Sequence, residues 1–538
     1  MTEHAPAPVA RSGPPPTTLS ARDRLAVALL LVSTFVVILN ETIMGVALPQ
    51  LMRDLDITAG TAQWLTTAFL LTMAVVIPVT GFVIRRLPTR TVFLVAMSLF
   101  TAGTAICALA PGFVVLLLGR IVQAGGTAIM LPLLMTTVMT VTPPAARGRT
   151  MGNISVVISV APALGPTISG LILSVLDWRW MFGLVLPIAA AALALGAARM
   201  PSVTEPEHAR VDVPSIVLSA LAFGPLVHWL SSLGEGGGGA AGWASLVVGT
   251  VALVAFVLRQ RRLQRTDDAL LDLRVFEART FTVGTVLLAV MMMCLFGVII
   301  LLPIYAQDVL GRDTLTTGLA LLPGGLLMGL LAPFVGRAYD RVGARALLVP
   351  GTLLVSAGLW GMTLLGTGAP LWHLVAAHVV LSAGLALVFT PLFTSSLGDL
   401  PAHRYSSGSA VISTAQQVAG AAGTALFVTV LGARSAGLAA AGGDEVTSLA
   451  GGVHSALLVG AAISLLAVPV ALLVRGVPGA GAHGGEHGAP VTLPAEADGT
   501  ADPVDATEAV ARTSAGGDPA AAPVAGPDAR TPEVSGRH

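Results

Sequence analysis

Roughly fourteen apolar runs, each about twenty residues long, are separated by short polar loops, and the arginines fall almost entirely on alternate loops. At ~1.5 Å rise per residue such a run matches the ~30 Å hydrocarbon core of a bilayer, where only a helix or a closed barrel satisfies its own backbone. The chain therefore reads as an all-α membrane protein with 14 transmembrane helices. The spans fall at 25–48, 62–84, 91–110, 113–140, 151–175, 181–199, 213–232, 241–258, 281–306, 316–336, 346–366, 371–397, 408–431 and 453–474.

Composition narrows the function. Of the 538 residues 54% are hydrophobic and only 11% charged, which excludes a soluble enzyme or a nucleic-acid binder. All 29 basic residues are arginine, a bias that fits a GC-rich bacterial genome. Without a lysine the chain holds no Walker loop GxxxxGK[ST], which argues against ATP as an energy source. Cys107 and Cys294 lie in apolar runs and read as small buried hydrophobes. His483, Glu486 and His487 sit in an Ala-, Gly-, Pro- and Asp-rich tail expected to be disordered, so neither a metal nor a cofactor is expected.

Arginine placement sets the orientation. Arg85, Arg86 and Arg90, Arg147 and Arg149, Arg199 and Arg210, Arg259 to Arg279, Arg337, Arg341 and Arg345, Arg404 and Arg475 all fall on even-side loops. Arg53, Arg179, Arg312 and Arg434 are on the other side. By the positive-inside rule both termini face the cytoplasm. The loop 259–280 alternates Arg with Leu, Phe and acids, a pattern that suits a short amphipathic helix lying on the membrane surface.

The chain also repeats itself. Pro78, Gly81, Arg86 and Arg90 share the spacing PxxGxxxxRxxxR with Pro333, Gly336, Arg341 and Arg345, 255 residues on, and Gly125 with Pro132 share theirs with Gly384 and Pro391. Two parallel six-helix halves with two inserted helices account for this, as in secondary transporters. The expected divisions are a cytoplasmic tail 1–24, a first half 25–200, an inserted segment 201–280, a second half 281–475 and a tail 476–538.

At these residues the chain resembles the major facilitator superfamily, since Gly336, Asp340, Arg341, Gly343 and Arg345 match its loop motif GxxxDRxGxR. Residues 39–49, 120–125, 161–170 and 178–182 are similar to fourteen-span drug:proton antiporters of the EmrB/QacA type, and Asn40-Glu41-Thr42 to lincomycin-efflux members. The resemblance implies the major facilitator fold and export of a small amphipathic organic substrate against protons. The energy source is then the proton motive force, and the location a bacterial plasma membrane.

Each motif also has a physical reading. Ala161, Gly165 and Ser169 recur every four residues and flatten one face of span 5, while Pro162 and Pro166 remove backbone donors. The resemblance makes Ala161, Pro162, Gly165, Pro166 and Gly170 an antiporter motif that seals and hinges the two halves; ordinary tight packing is the alternative. Asp340 is expected to accept bonds from arginines or from a helix N-terminus of the other half. Its counterpart in the first half is Arg85, with Pro88 in place of Gly343, so the two loops are unequal.

Charge at membrane depth costs at least ~2.5–3.5 kcal/mol and marks mechanism. Glu41 and Arg120 are the clear cases, flanked by Asn40 and Thr42. The resemblance places the usual acid at Asn40, and one residue turns a helix by about 100°. Glu41 is expected to exchange the proton, with a static Glu41–Arg120 ion pair as the alternative; His228, His373 and His378 also titrate. Gln63, Trp64, Gln123, Asn153 and Gln416 are the expected substrate contacts. Met130, Met135, Met139 and Met291 to Met293 offer adaptable surface or packing. A proton-coupled metabolite symporter and a non-transporting sensor or scaffold are the competing functions, and no nucleophile constellation suggests an enzyme.

Overall fold

The computed structural model describes residues 20–57, 59–203, 212–234, 239–266 and 268–474. Both tail ends lie outside these residues, including His483, Glu486 and His487. Among the described residues fourteen helical segments are long and apolar enough to cross a membrane. Six helices and a short turn of helix, α6, build the first part: α1 (Ala21–Asp54), α2 (Ala59–Arg86), α3 (Thr89–Ala108), α4 (Phe113–Val141), α5 (Arg147–Val175), α6 (Trp180–Gly183) and α7 (Val185–Arg199). Then come α8 (Val213–Gly234) and α9 (Gly239–Leu263). The remainder is α10 (Arg279–Ile304), α11 (Thr314–Val342), α12 (Arg345–Thr363), α13 (Leu371–Gly398), α14 (Tyr405–Ala440) and α15 (Glu445–Leu473).

Helix ends follow local chemistry. Asp313 accepts from the Thr316 amide and Asp444 from the Thr447 amide, capping α11 and α15 with the carboxylates that helix N-termini favour. Hydrogen bonds at these caps hold both carboxyls below the usual carboxylate range. Gly343 ends α11 at φ 78°, a conformation that suits a residue without Cβ. Prolines interrupt matching helices, Pro78 in α2 and Pro333 in α11, then Pro132 in α4 and Pro391 in α13. A further match emerges from the fold: Pro144–Ala146 and Ala402–Arg404 each form a 3-10 turn just before α5 and α14, within the related strings Pro144-Ala-Ala-Arg147 and Pro401-Ala-His-Arg404.

Close helix packing relies on small residues, as lipid offers no hydrophobic drive between helices. A Cβ on Gly126 would lie 2.3 Å from the Ala96 carbonyl oxygen, whereas Gly125 has only Leu99 Cδ1 near, at 3.9 Å. The close contact of α4 with α3 is therefore one residue beyond the repeat read in sequence. Gly384 presses on α12, a Cβ there meeting the Val355 amide nitrogen at 2.5 Å. Met130, Met135, Met139 and Met291 are all 0% exposed, so these methionines are core and line no cavity.

The 259–280 loop departs from expectation. Instead of an amphipathic surface helix, α9 runs on to Leu263, a turn over 264–266 follows, and after a bend at Leu270 and Leu271 a 3-10 turn spans Leu273–Glu277. Ala269, Leu270, Leu271 and Val275 are between 0% and 4% exposed. Alternation of apolar and polar residues here serves burial in the protein rather than in lipid, and the Asp272 carboxylate starts the 3-10 turn by accepting from the Arg274 amide.

Candidate functional site: a buried charge centre and a sealed helix end

Arg120 is 1% exposed, about two turns into α4, where a buried charge needs partners. Its guanidinium stacks 3.9 Å from the Phe69 ring centre on α2. Nη1 donates to Gln123 Oε1 at 2.7 Å, and Gln123 Nε2 donates in turn to Thr104 Oγ1 at 2.8 Å on α3. Arginine suits this place because its planar cation stacks on an aromatic face and donates at its edge. Arg120 Nε has no partner.

Glu41 on α1 is half-buried, and its carboxylate makes no hydrogen bond or ion pair among the described residues. The static Glu41–Arg120 pair is therefore absent, although the two charges lie within electrostatic reach. Asn40 points elsewhere, 2% exposed with Oδ1 unpartnered. Thr42 Oγ1 donates to the Leu39 carbonyl at 3.0 Å and faces α5, where a Cβ on Gly165 would lie 2.2 Å from it.

The flat face of α5 thus packs within its own half. Ala161 and Ser169 are 0% exposed and Ser169 Oγ donates to Met181 Sδ at 3.3 Å; Gly170 has open space around it, Pro162 is half-buried, and the Pro166 side chain lies outside the description. The face of α5 that meets the other half is a different one. A Cβ on Gly152 would meet the Ala332 carbonyl oxygen at 2.7 Å, and one on Gly329 would meet Val160 Cγ2 at 2.1 Å. In the sequence this face is marked by Gly148 and Gly152, spaced by four, next to the Pro-rich segment 161–170.

The arginine-rich end is sealed by this second face. Asp340 Oδ1 accepts from the Gly148 amide at 2.9 Å and Oδ2 from the Arg149 amide at 3.0 Å, so α11 caps the second and third residues of α5 across the bundle. Gly336 allows the approach, since a Cβ there would lie 2.2 Å from the Gly148 carbonyl oxygen. Neighbouring cross-bundle bonds join Thr136 to Ser409 at 2.5 Å and Thr390 to Ser155 at 2.7 Å. On the other side a Cβ on Gly81 of α2 would lie 3.0 Å from the Ser406 carbonyl oxygen of α14. Arg85 Nη2 donates to the Ala269 carbonyl at 2.6 Å, Arg90 Nη2 donates to the Ala197 carbonyl at 2.6 Å, and Arg86, Arg341 and Arg345 are exposed. By contrast, α1 and α10 share no extended packing among the described residues.

Expected substrate contacts scatter. Gln123 is 0% exposed and belongs to the Arg120 support rather than to a lining. Trp64 is 46% exposed and stacks with His228 of α8 at 6.2 Å. Asn153 is exposed one turn beyond the exposed Arg149, and Gln416 is half-buried with Nε2 unpartnered. The Gln63 side chain lies outside the description. His378, 9% exposed, is wedged against Gly324, while His373 Nε2 contacts the Gly361 carbonyl at 3.2 Å.

The model of the Major Facilitator Superfamily matches residues 30–424. The lincomycin resistance protein LmrB of Listeria monocytogenes is 40% identical over 408 residues, covering 76% of this chain and 86% of that protein. The multidrug resistance protein B homolog of Mycobacterium tuberculosis strain H37Rv is 29% identical over 440 residues, covering 79% of this chain and 81% of its own length. Among solved structures, a double-tryptophan mutant of XylE superimposes with a TM-score of 0.61 at 14% identity, covering 86% of this chain and 97% of its own, which speaks to the fold alone. A sequence match over most of the helical body, joined to fourteen candidate spans and a loop motif that locks two helices, places this chain in the Major Facilitator Superfamily as a multi-pass membrane transporter.

Proposed function

We propose that this chain exports hydrophobic or amphipathic drugs across a bacterial plasma membrane in exchange for protons, with the arginine-rich end and both termini in the cytoplasm. The observation that carries the reading is Glu41: a carboxylate at membrane depth with no ion-pair partner, near an arginine held by a stack and a glutamine instead. A carboxylate neutralised by a fixed cation holds its charge, whereas one left unpaired is free to take and release a proton. Arg120 supplies a constant field that favours release once the drug has left. The relatives named for lincomycin and multidrug resistance make a lincosamide the first substrate to try.

In this reading the seal at Asp340 is the cytoplasmic gate in its closed state, and α1 and α10, which share no extended packing with each other among the described residues, belong to the outward-open mouth. Residues 25–200 and 281–475 rock against each other, with 201–280 inserted between them. Proton entry supplies ~2.3 kcal/mol per charge per 100 mV, enough for appreciable drug gradients without ATP. In everted vesicles Glu41→Gln is expected to abolish pH-driven drug accumulation while drug exchange down its own gradient survives. Full accumulation by that variant would remove Glu41 from the mechanism. Impermeant labelling of a cysteine in 259–266 from outside intact cells would reverse the orientation.

A further inference from the structure

The stretch between α9 and α10 is more than a tether. Ala269, Leu270 and Leu271 are buried, and their backbone and neighbours bond to three separate parts of the protein. Towards the inserted helices, the Leu271 amide donates to Gln260 Oε1 at 3.2 Å, and Gln260 Nε2 donates to Ser215 Oγ at 2.7 Å. Towards the second half, the Asp272 amide donates to Ser407 Oγ at 3.3 Å, and the Asp272 carboxylate pairs with Arg404 at 3.4 Å beside its pair with Arg274 at 2.9 Å. Arg404 Nη1 also donates to the Arg274 carbonyl at 3.3 Å. Towards the first half, Arg85 Nη2 donates to the Ala269 carbonyl at 2.6 Å.

We propose that residues 268–277 form a strap that closes the α2–α14 side of the gate, with Asp272 as the positioning residue that seats the strap on α14 and Arg85 as its release point. The juxtaposition explains an apparent gap. Arg85 stands where the second half carries Asp340, so α2 has no acid to offer the N-terminal turn of α14. The inserted segment brings that acid in as Asp272, against Arg404 at the start of α14, and α2 grips the strap by donating to its backbone. On the α14 side the strap is tethered at three points, by the Asp272 amide on Ser407, the Asp272 carboxylate on Arg404 and the Arg274 carbonyl on Arg404. When α2 and α14 part, the strap therefore travels with α14.

This inference rests on the transporter reading, but its test needs neither a substrate nor a proton gradient. A cysteine replacing Ser409, which is 0% exposed in the sealed interface, reports opening through its maleimide labelling rate in purified protein lacking Cys107 and Cys294. Asp272→Asn is expected to raise that rate about tenfold, Asp272→Glu to restore it, and Arg85→Gln to raise it without adding to Asp272→Asn, because both act through one strap. An unchanged rate in both Asp272→Asn and Arg85→Gln overturns the proposal, and Arg85→Gln alone decides if the Asp272 variant fails to fold. Spin labels at Thr91 and Asp268 are expected to separate on opening in the Asp340→Asn background, while labels at Asp268 and His403 keep their distance. The converse would seat the strap on α2 and overturn the assignment of Arg85 as the release point.

Discussion

At the arginine-rich end, α11 meets the first turn of α5 through Gly336 and Asp340, whereas α2 meets the first turn of α14 through Gly81 and reaches the inserted strap through Arg85. The backbone design is shared: a glycine lies on the N-terminal carbonyl of the opposing helix, which follows a 3-10 turn. The chemistry is opposite. One side presents a carboxylate directly to two helix amides, and the other presents a guanidinium to the carbonyl of an inserted strap that carries the acid itself. Duplication thus supplies the geometry, and an insertion allows one copy to exchange its acid for a base without leaving the helix end unpaired. A direct clasp is short and tight; an indirect one has slack, so substitutions on the two sides are expected to differ in severity.

The sharpest contrast is at the glycines. A methyl on Gly336 would sit 2.2 Å from backbone oxygen, which has no rotamer to adjust, while one on Gly81 meets backbone oxygen at 3.0 Å and the Ala410 methyl at 3.1 Å. Over-packing of a tight contact costs roughly 1–3 kcal/mol or more, so Gly336→Ala is expected to lower transport at least about tenfold and Gly81→Ala about threefold or less. Initial rates at matched membrane abundance measure both. Equal losses would mean that the two contacts carry equal load, and the comparison would fail.

Next in size are the polar groups. Asp340 makes two bonds from backbone amides, each worth roughly 1.5–3 kcal/mol when the acceptor is charged. An asparagine would keep one oxygen and turn an amino group toward a donor, so Asp340→Asn is expected to cut transport about tenfold or more. Arg85→Gln keeps a donor for the Ala269 carbonyl and loses reach, with an expected fall of only a few-fold. A larger loss for Arg85→Gln would make the strap the principal gate and Asp340 its accessory.

Much of this was legible in the chain. Span number, the repeat of Gly81 and Gly336, and the bond from Asp340 to a helix N-terminus of the other half follow from hydropathy, spacing and the known preference of carboxylates for helix starts. The strap was not legible, because alternating Arg and Leu satisfy a lipid surface and a protein groove equally well, and only the partners at Gln260, Ser407 and Arg404 decide between them. Gln123 misled for a similar reason. Its polar side chain at membrane depth reads as a lining residue until Arg120 and Thr104 are found at its two ends. The Ala161 to Ser169 stripe showed that a neighbour comes close without saying which one, and it is Thr42 of α1 rather than the opposite half.

The smallest expected effect is one of pH, and it separates the strap from the proton carrier. Burial pushes the Asp272 carboxyl up, but the hydrogen bonds from the Arg274 side chain and amide and the charges of Arg274 and Arg404 outweigh it and hold the group below the usual carboxylate range. A carboxyl lowered in this way contributes its full stabilisation above the ordinary carboxylate range and loses it only as pH falls through the lowered value. Between pH 5.5 and 8 the strap is therefore ionised throughout. The labelling rate of the Ser409→Cys protein, measured in the Glu41→Gln background so that proton exchange at α1 cannot move the gate, is expected to stay within about twofold across that interval. A rise toward acid in that background would place a titrating group in the strap itself, and the α2–α14 side would then be a proton-sensitive gate rather than a permanent ionic seat.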